Sequence, residues 1–171
     1  MDQPKKRSRI LVLDDVAAVR NLVIDFLREE GYEPYGVATS EELLRELGSH
    51  NDVAAVLLDL QLDGDRSIHE VHKQLEATFP GVLFPHEKVL DDLGADDDDA
   101  VSGRYLLPMI KAISPATKVI VLTGAWEGVD DNAFLEKWGA HIAVQKMAPD
   151  SAFQATKVPG LSRELLQRLD E

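Results

Sequence analysis

Five polar residues sit where they could carry phosphoryl chemistry. Asp14 and Asp15 follow the apolar run 9–13 (RILVL), Asp59 follows 53–58 (VAAVLL), Thr123 follows 118–122 (KVIVL) and Lys146 follows 141–145 (HIAVQ). If these runs are parallel strands, all five groups fall on one edge of the sheet. Three carboxylates gathered there would repel one another strongly without a cation between them, and an all-oxygen donor set suits Mg²⁺. The Thr123 hydroxyl can donate to a phosphoryl oxygen, and Lys146 offers a compact positive charge. Phosphoryl transfer asks a protein mainly for in-line positioning and neutralisation of developing charge, with Asp59 as the attacking carboxylate. Taken singly, each aspartate would serve equally well as a helix cap or turn residue. Only the set of five points to chemistry.

The elements that must position these groups can be read from the pattern of apolar residues. Uninterrupted β-rich runs suit strands covered on both faces, as in a parallel sheet flanked by helices. Residues 32–38 fit a further strand between the first two runs. Val16, Val19, Leu22, Val23, Phe26 and Leu27 recur at helical spacing and stop at Gly31, while Thr39 with Glu42 makes a capping box for a helix through Leu47. Tyr105, Leu106, Met109, Ile110 and Ile113 form another apolar face, with Pro108 expected in the first turn or at a kink. Residues 130–138 are predicted as a helix ending at Gly139, and 161–169 as a last amphipathic helix. A strand-helix order repeated five times predicts a doubly wound α/β fold with right-handed crossovers, in which ligands sit beyond the carboxyl ends of the strands.

One connection is too long. Asp59 and Thr123 are 64 residues apart, whereas a βαβ unit needs ~30. An insertion is therefore placed at 61–100, between the third strand and the helix that would normally follow it. It holds 11 acidic and 3 basic residues, a net −8 within the whole-chain −13. A segment beginning two residues after Asp59 could lie over the pocket as a lid. Within it, Asp96 to Asp99 read as a solvated acidic loop; His69 and His72, three apart on a predicted helix, and His86 further on read as surface histidines without the HExxH spacing of a zinc site. The stretch 79–84 (FPGVLF) is expected to pack the inserted element. Trp126 would lie near a surface formed by the fourth helix and fifth strand.

Composition narrows the classes of function. At 171 residues and 44% hydrophobic content, one domain with embellishments is expected. The net charge disfavours direct binding to nucleic acid, and the basic cluster Lys5, Lys6, Arg7 and Arg9 reads as a terminal arm. The absence of cysteine excludes disulfides, thiolate metal sites and thiol nucleophiles. No apolar stretch approaches a membrane span or a signal-peptide core, so a cytoplasmic protein with no membrane partner is expected.

The segments 11–16 (LVLDDV), 56–60 (VLLDL), 119–125 (VIVLTGA) and the lysine of 138–149 (WGAHIAVQKMAP) together resemble the receiver domain of two-component response regulators, over residues 8–60 and 101–147. The resemblance implies a flavodoxin-like fold with a five-stranded parallel sheet in the order 2-1-3-4-5, spanning 1–171 as a single receiver domain with 148–171 as linker and C-terminal helix. It implies Asp59 as phosphoacceptor, Asp15 as direct metal ligand, Asp14 as a ligand acting chiefly through water, and the Gln61 carbonyl as a further Mg²⁺ ligand. Thr123 and Lys146 would sense the phosphoryl group, and a histidine kinase or phosphotransfer protein would donate it. Besides the insertion, two features depart from the family. Met147 stands where a proline usually follows the lysine, and Ala143 stands where an aromatic residue usually precedes it by three positions. A self-phosphorylating signalling domain is thus expected rather than a turnover enzyme; a phosphatase would want an acid two residues beyond its nucleophile, where Gln61 stands. The other function consistent with these residues is a receiver-like scaffold that binds partners without phosphorylation.

Overall fold

The computed structural model describes residues 9–62, 66–123, 129–140, 142–145 and 169. Its strands are β1 (Arg9–Leu13), β2 (Glu33–Val37), β3 (Val53–Asp59), β4 (Lys118–Thr123) and β5 (Ile142–Gln145). The helices are α1 (Ala17–Glu29), α2 (Ser40–Ser49), α3 (Ile68–Thr78), α4 (His86–Leu93), α5 (Gly103–Ile113) and α6 (Val129–Lys137). All strand pairs are parallel. β2, β1, β3 and β4 stand side by side in that order, and the backbone of β5 pairs with the outer side of β4.

The apolar runs alternate between two cores because successive strand residues face opposite sides of the sheet. Ile10, Val12, Ala55, Leu57, Ile120 and Leu122 meet Val23, Ile24 and Leu27 of α1, with Leu169 packed against them. Leu11, Leu13, Val56, Leu58, Val119 and Val121 face α2, α3, α4 and α5. Burial on both sides explains why these runs show no polar alternation. Gly31 and Gly139, at φ +88° and +81°, follow α1 and α6 in the left-handed conformation that glycine adopts without a Cβ penalty.

Thr39 caps α2 through its hydroxyl, which accepts from the Glu42 N–H at 3.2 Å. The Glu42 carboxylate reaches one residue further back than a capping box requires and accepts from Ala38 N at 2.8 Å. Pro108 falls at the sixth residue of α5, in its second turn rather than its first. Of the predicted C-terminal helix, only Leu169 is among the described residues, and it is helical. Trp126 and residues 148–168 lie outside the described residues.

The long connection holds two helices of its own. Ser67 and Glu70 form a reciprocal capping box at the start of α3, and Gly94 ends α4 in the left-handed conformation. Where this hairpin leaves and rejoins the chain, Ile68 N donates to Asp99 O at 2.8 Å, Val101 N to Arg66 O at 2.8 Å and His69 N to Asp97 O at 2.9 Å, so both ends are tied together. Ile68, Val71, Leu75, Val89 and Leu90 join the sheet core. The described part of the insertion therefore adds to the hydrophobic core beside α2 and α5. Gly48 of α2 allows close approach of α3, since a Cβ there would lie 2.8 Å from Thr78 Cγ2.

Histidines 72 and 86 correct the surface assignment. His86 is buried and His72 half-buried, because partners within the fold take up both ring nitrogens of His86. His69 is exposed, and so are Asp96 to Asp99. In the 79–84 stretch Phe79 and Phe84 pack against the core while Leu83 is 94% exposed.

Candidate functional site

Hydrophobic burial of β1 and β3 brings their carboxyl ends side by side, in a register that pairs Leu13 with Leu58. The next residues on each chain are then Asp14 and Asp59. One carboxylate oxygen from each of Asp14, Asp15 and Asp59 lies within 4.8 Å of the others. Asp14 is 1% exposed and Asp59 7%, while Asp15 is half-buried. Withdrawing a carboxylate from water costs several kcal/mol unless another charge or hydrogen bonds compensate. Three oxygens converging so closely form a hard, anionic donor set, which fits a small divalent cation such as Mg²⁺.

Local hydrogen bonds fix the carboxylates. Asp14 N donates to Val37 O at 3.3 Å, extending the β1–β2 ladder by one residue, and its Oδ1 accepts from Val16 N at 2.9 Å. Arg20, one turn into α1, donates from Nη1 to the Asp14 carbonyl at 2.6 Å and so places a guanidinium beside the acidic group. Asp59 Oδ1 accepts from Gln61 N at 3.2 Å. Gln61 itself is exposed.

Gly103 secures the other side of the Asp59 loop. Its N–H donates to Leu60 O at 3.0 Å, and a Cβ at this position would sit 2.1 Å from the Asp59 carbonyl oxygen. Only glycine lets the start of α5 press so closely on that peptide. Thr123 is the last residue of β4, one after Leu122, which pairs with Asp59; its side chain lies outside what is described. Lys146 and Met147 also lie outside the described residues, although Lys146 directly follows β5 in sequence.

Sequence reasoning named the acidic trio but missed Arg20 and Gly103. A glycine opening a predicted helix was a usable signal, since that position gains nothing from flexibility unless another backbone comes close. Arg20 left no comparable trace, because its contact with a main-chain carbonyl depends on how α1 leaves β1.

The chain has the fold of a response-regulator receiver domain. A CheY-like receiver domain protein from Methanospirillum hungatei JF-1 superposes with a TM-score of 0.63 at 20% identity, covering 95% of this chain and 94% of that one. The response regulator TrrA of Thermotoga maritima, solved in complex with Mg(2+)-BeF, gives 0.57 at 23% identity, covering 95% and 98%. In sequence, a protein of Rickettsia felis described as an NtrX-like response regulator is 40% identical over 79 residues. That match takes in 44% of this chain and 16% of the relative's length. No family model matches the chain. Among the described residues, no helix is long and apolar enough to cross a membrane.

Proposed function

We propose that this chain is the phosphoacceptor receiver of a two-component system, with Asp59 taking a phosphoryl group from a histidine kinase or phosphotransfer protein. The convergence of Asp14, Asp15 and Asp59 oxygens within 4.8 Å at adjoining strand ends carries the reading. The receiver fold, and a relative solved in complex with Mg(2+)-BeF, support it.

In the proposed reaction a carboxylate oxygen of Asp59 attacks the phosphorus of a phosphohistidine. The P–N bond breaks as the acyl phosphate forms, and the departing imidazole keeps the electron pair and takes a proton from solvent. Asp14, Asp15, Asp59 and the Gln61 carbonyl would hold Mg²⁺, which when bound supplies positive charge opposite the phosphoryl oxygens. Arg20 and the Val16 amide hold the Asp14 turn in place, and Gly103 holds the Asp59 loop. Thr123 and Lys146 are assigned to the phosphoryl oxygens because Thr123 ends β4 and Lys146 directly follows β5 in sequence. Output passes through altered binding of a protein partner.

Incubation with Mg²⁺ and acetyl phosphate, followed by intact mass measurement, is expected to show one added phosphoryl group that is absent in Asp59→Asn. No gain with either acetyl phosphate or a phosphorylated kinase domain would overturn the reading in favour of the phosphorylation-independent scaffold.

A further inference from the structure

Away from the acidic pocket, four titratable groups from four parts of the chain meet inside the inserted hairpin. The imidazoles of His72 on α3 and His86 on α4 stack with centroids 3.8 Å apart and planes 6° from parallel. His86 Nδ1 lies 2.8 Å from the Tyr105 hydroxyl of α5, and its Nε2 lies 2.8 Å from Asp97 Oδ1 on the segment that leaves the hairpin. Tyr105 is fully buried and meets the His86 ring edge-on at 5.8 Å. The cluster thus joins both helices of the insertion to α5.

We infer that the stacked pair is a proton-operated clasp, shut while His72 and His86 share at most one positive charge and opened when both rings are charged. The partners of His86 suit either charge state of its ring. Neutral, that ring accepts from the Tyr105 hydroxyl and donates to Asp97; protonated, it donates at both nitrogens, to the Tyr105 oxygen and to Asp97, with no bond lost. A second proton has to go on His72, face to face with the first at 3.8 Å. The groups facing the pair are Glu76 of α3, whose Oε1 is 3.4 Å from His72 Nε2, Glu87 of α4, Asp97, and Tyr105 of α5. Burial and the neighbouring His86 hold His72 below its ordinary value even though Glu76, Asp97 and Glu87 pull the other way. Burial pushes the Tyr105 hydroxyl well above its ordinary range, so it stays a neutral phenol throughout.

A depressed histidine binds fewer protons folded than unfolded. Its stabilising contribution is therefore complete above the ordinary histidine value of ~6.5 and is lost as pH falls through the folded value. Acid opens this clasp. Tyr105 stands two residues after Gly103, the glycine pressed against the Asp59 carbonyl, so release of the hairpin loosens the helix start that braces the Asp59 loop. This inference does not depend on Asp59 accepting phosphate.

The test is an imidazole-selective NMR titration of the full chain from pH 8 to pH 5, with backbone hydrogen exchange recorded alongside. His72 is expected to titrate below the ordinary histidine value of ~6.5, and, after correction for intrinsic rates, amides of α3 and α4 are expected to exchange up to about tenfold faster per pH unit as pH falls from that value toward the folded one, while β1 and β3 amides do not. In His72→Phe, which keeps a stacked ring without a titrating group, the excess is expected to vanish. If that variant does not fold, the wild-type titration decides alone. Titration of His72 at the ordinary histidine value, pH-independent exchange of the hairpin, or the same acid opening in His72→Phe would each overturn the inference.

Discussion

Two clusters of titratable side chains among the described residues are handled in opposite ways. At the ends of β1 and β3 the pocket collects three groups of one sign, within 4.8 Å. Inside the inserted hairpin, donors and acceptors alternate, from Tyr105 to His86 to Asp97, with His72 laid against the central ring. The first arrangement gathers like charge and is suited to receiving a cation. The second is satisfied by the protein itself and becomes costly only when a second proton arrives. Removal of one member should therefore act in opposite directions: losing a carboxylate relieves the pocket, whereas losing a ring strands its partners.

The largest effect is expected where the two regions meet. Gly103→Ala places a Cβ 2.1 Å from the Asp59 carbonyl oxygen, a contact that only a shift of main chain can relieve. It should cost about 4 kcal/mol or more in urea unfolding and displace the Asp59 loop. His86→Leu comes next. It leaves the Tyr105 hydroxyl and Asp97 without their 2.8 Å partner, and a loss of about 3 kcal/mol is expected, measured by the same unfolding experiment at pH 7.5.

The pocket should respond with the opposite sign. Without metal, Asp59→Asn removes one of three converging charges and should stabilise the fold by about 1 kcal/mol. With Mg²⁺ at a hundredfold excess over its dissociation constant, the wild type should gain about 2.7 kcal/mol and the variant much less. Calorimetry of both proteins with and without Mg²⁺ checks the crossing of the two stabilities. Parallel curves would remove the like-charge account of the pocket.

The same contrast explains what was legible in advance. The pocket's aspartates announce themselves because each directly follows an apolar run, and parallel strands carry such residues to one edge whatever the helices do. The alternation of Leu11, Leu13 and Ile10, Val12 between two cores follows from strand geometry, so the doubly wound layout was also readable. The imidazole cluster was not. His72, His86, Asp97 and Tyr105 span 34 residues with no repeat or motif, and they meet because the hairpin ends are tied at Ser67 and Ala100. The helix carrying His69 and His72 was expected inside the acidic stretch, and the capping-box spacing of Ser67 and Glu70 marks its start. The lid reading of that stretch rested on its length and on its start beside Asp59.

The smallest effect concerns how the hairpin meets α6. Lys137 Nζ and Trp138 Nε1 both donate to Asp92 Oδ2, at 2.6 and 3.0 Å, and Lys88 Nζ lies 5.8 Å from the Trp138 ring centroid. The Lys137 hydrogen bond, with a lesser one from Trp138, holds the Asp92 carboxyl below its ordinary value. A carboxylate lowered in this way stabilises the fold above its unfolded value, and the contribution fades as pH falls through the folded one. These side chains are partly exposed to solvent, so Lys137→Met should lower the unfolding midpoint only slightly at pH 7 and less still below pH about 3.9. Trp138 fluorescence reports whether the ring keeps its place in the variant. A midpoint loss as large as that of His86→Leu would mean that the hairpin is held from α6 as firmly as from α5, and the imidazole cluster would then be one of two equal attachments.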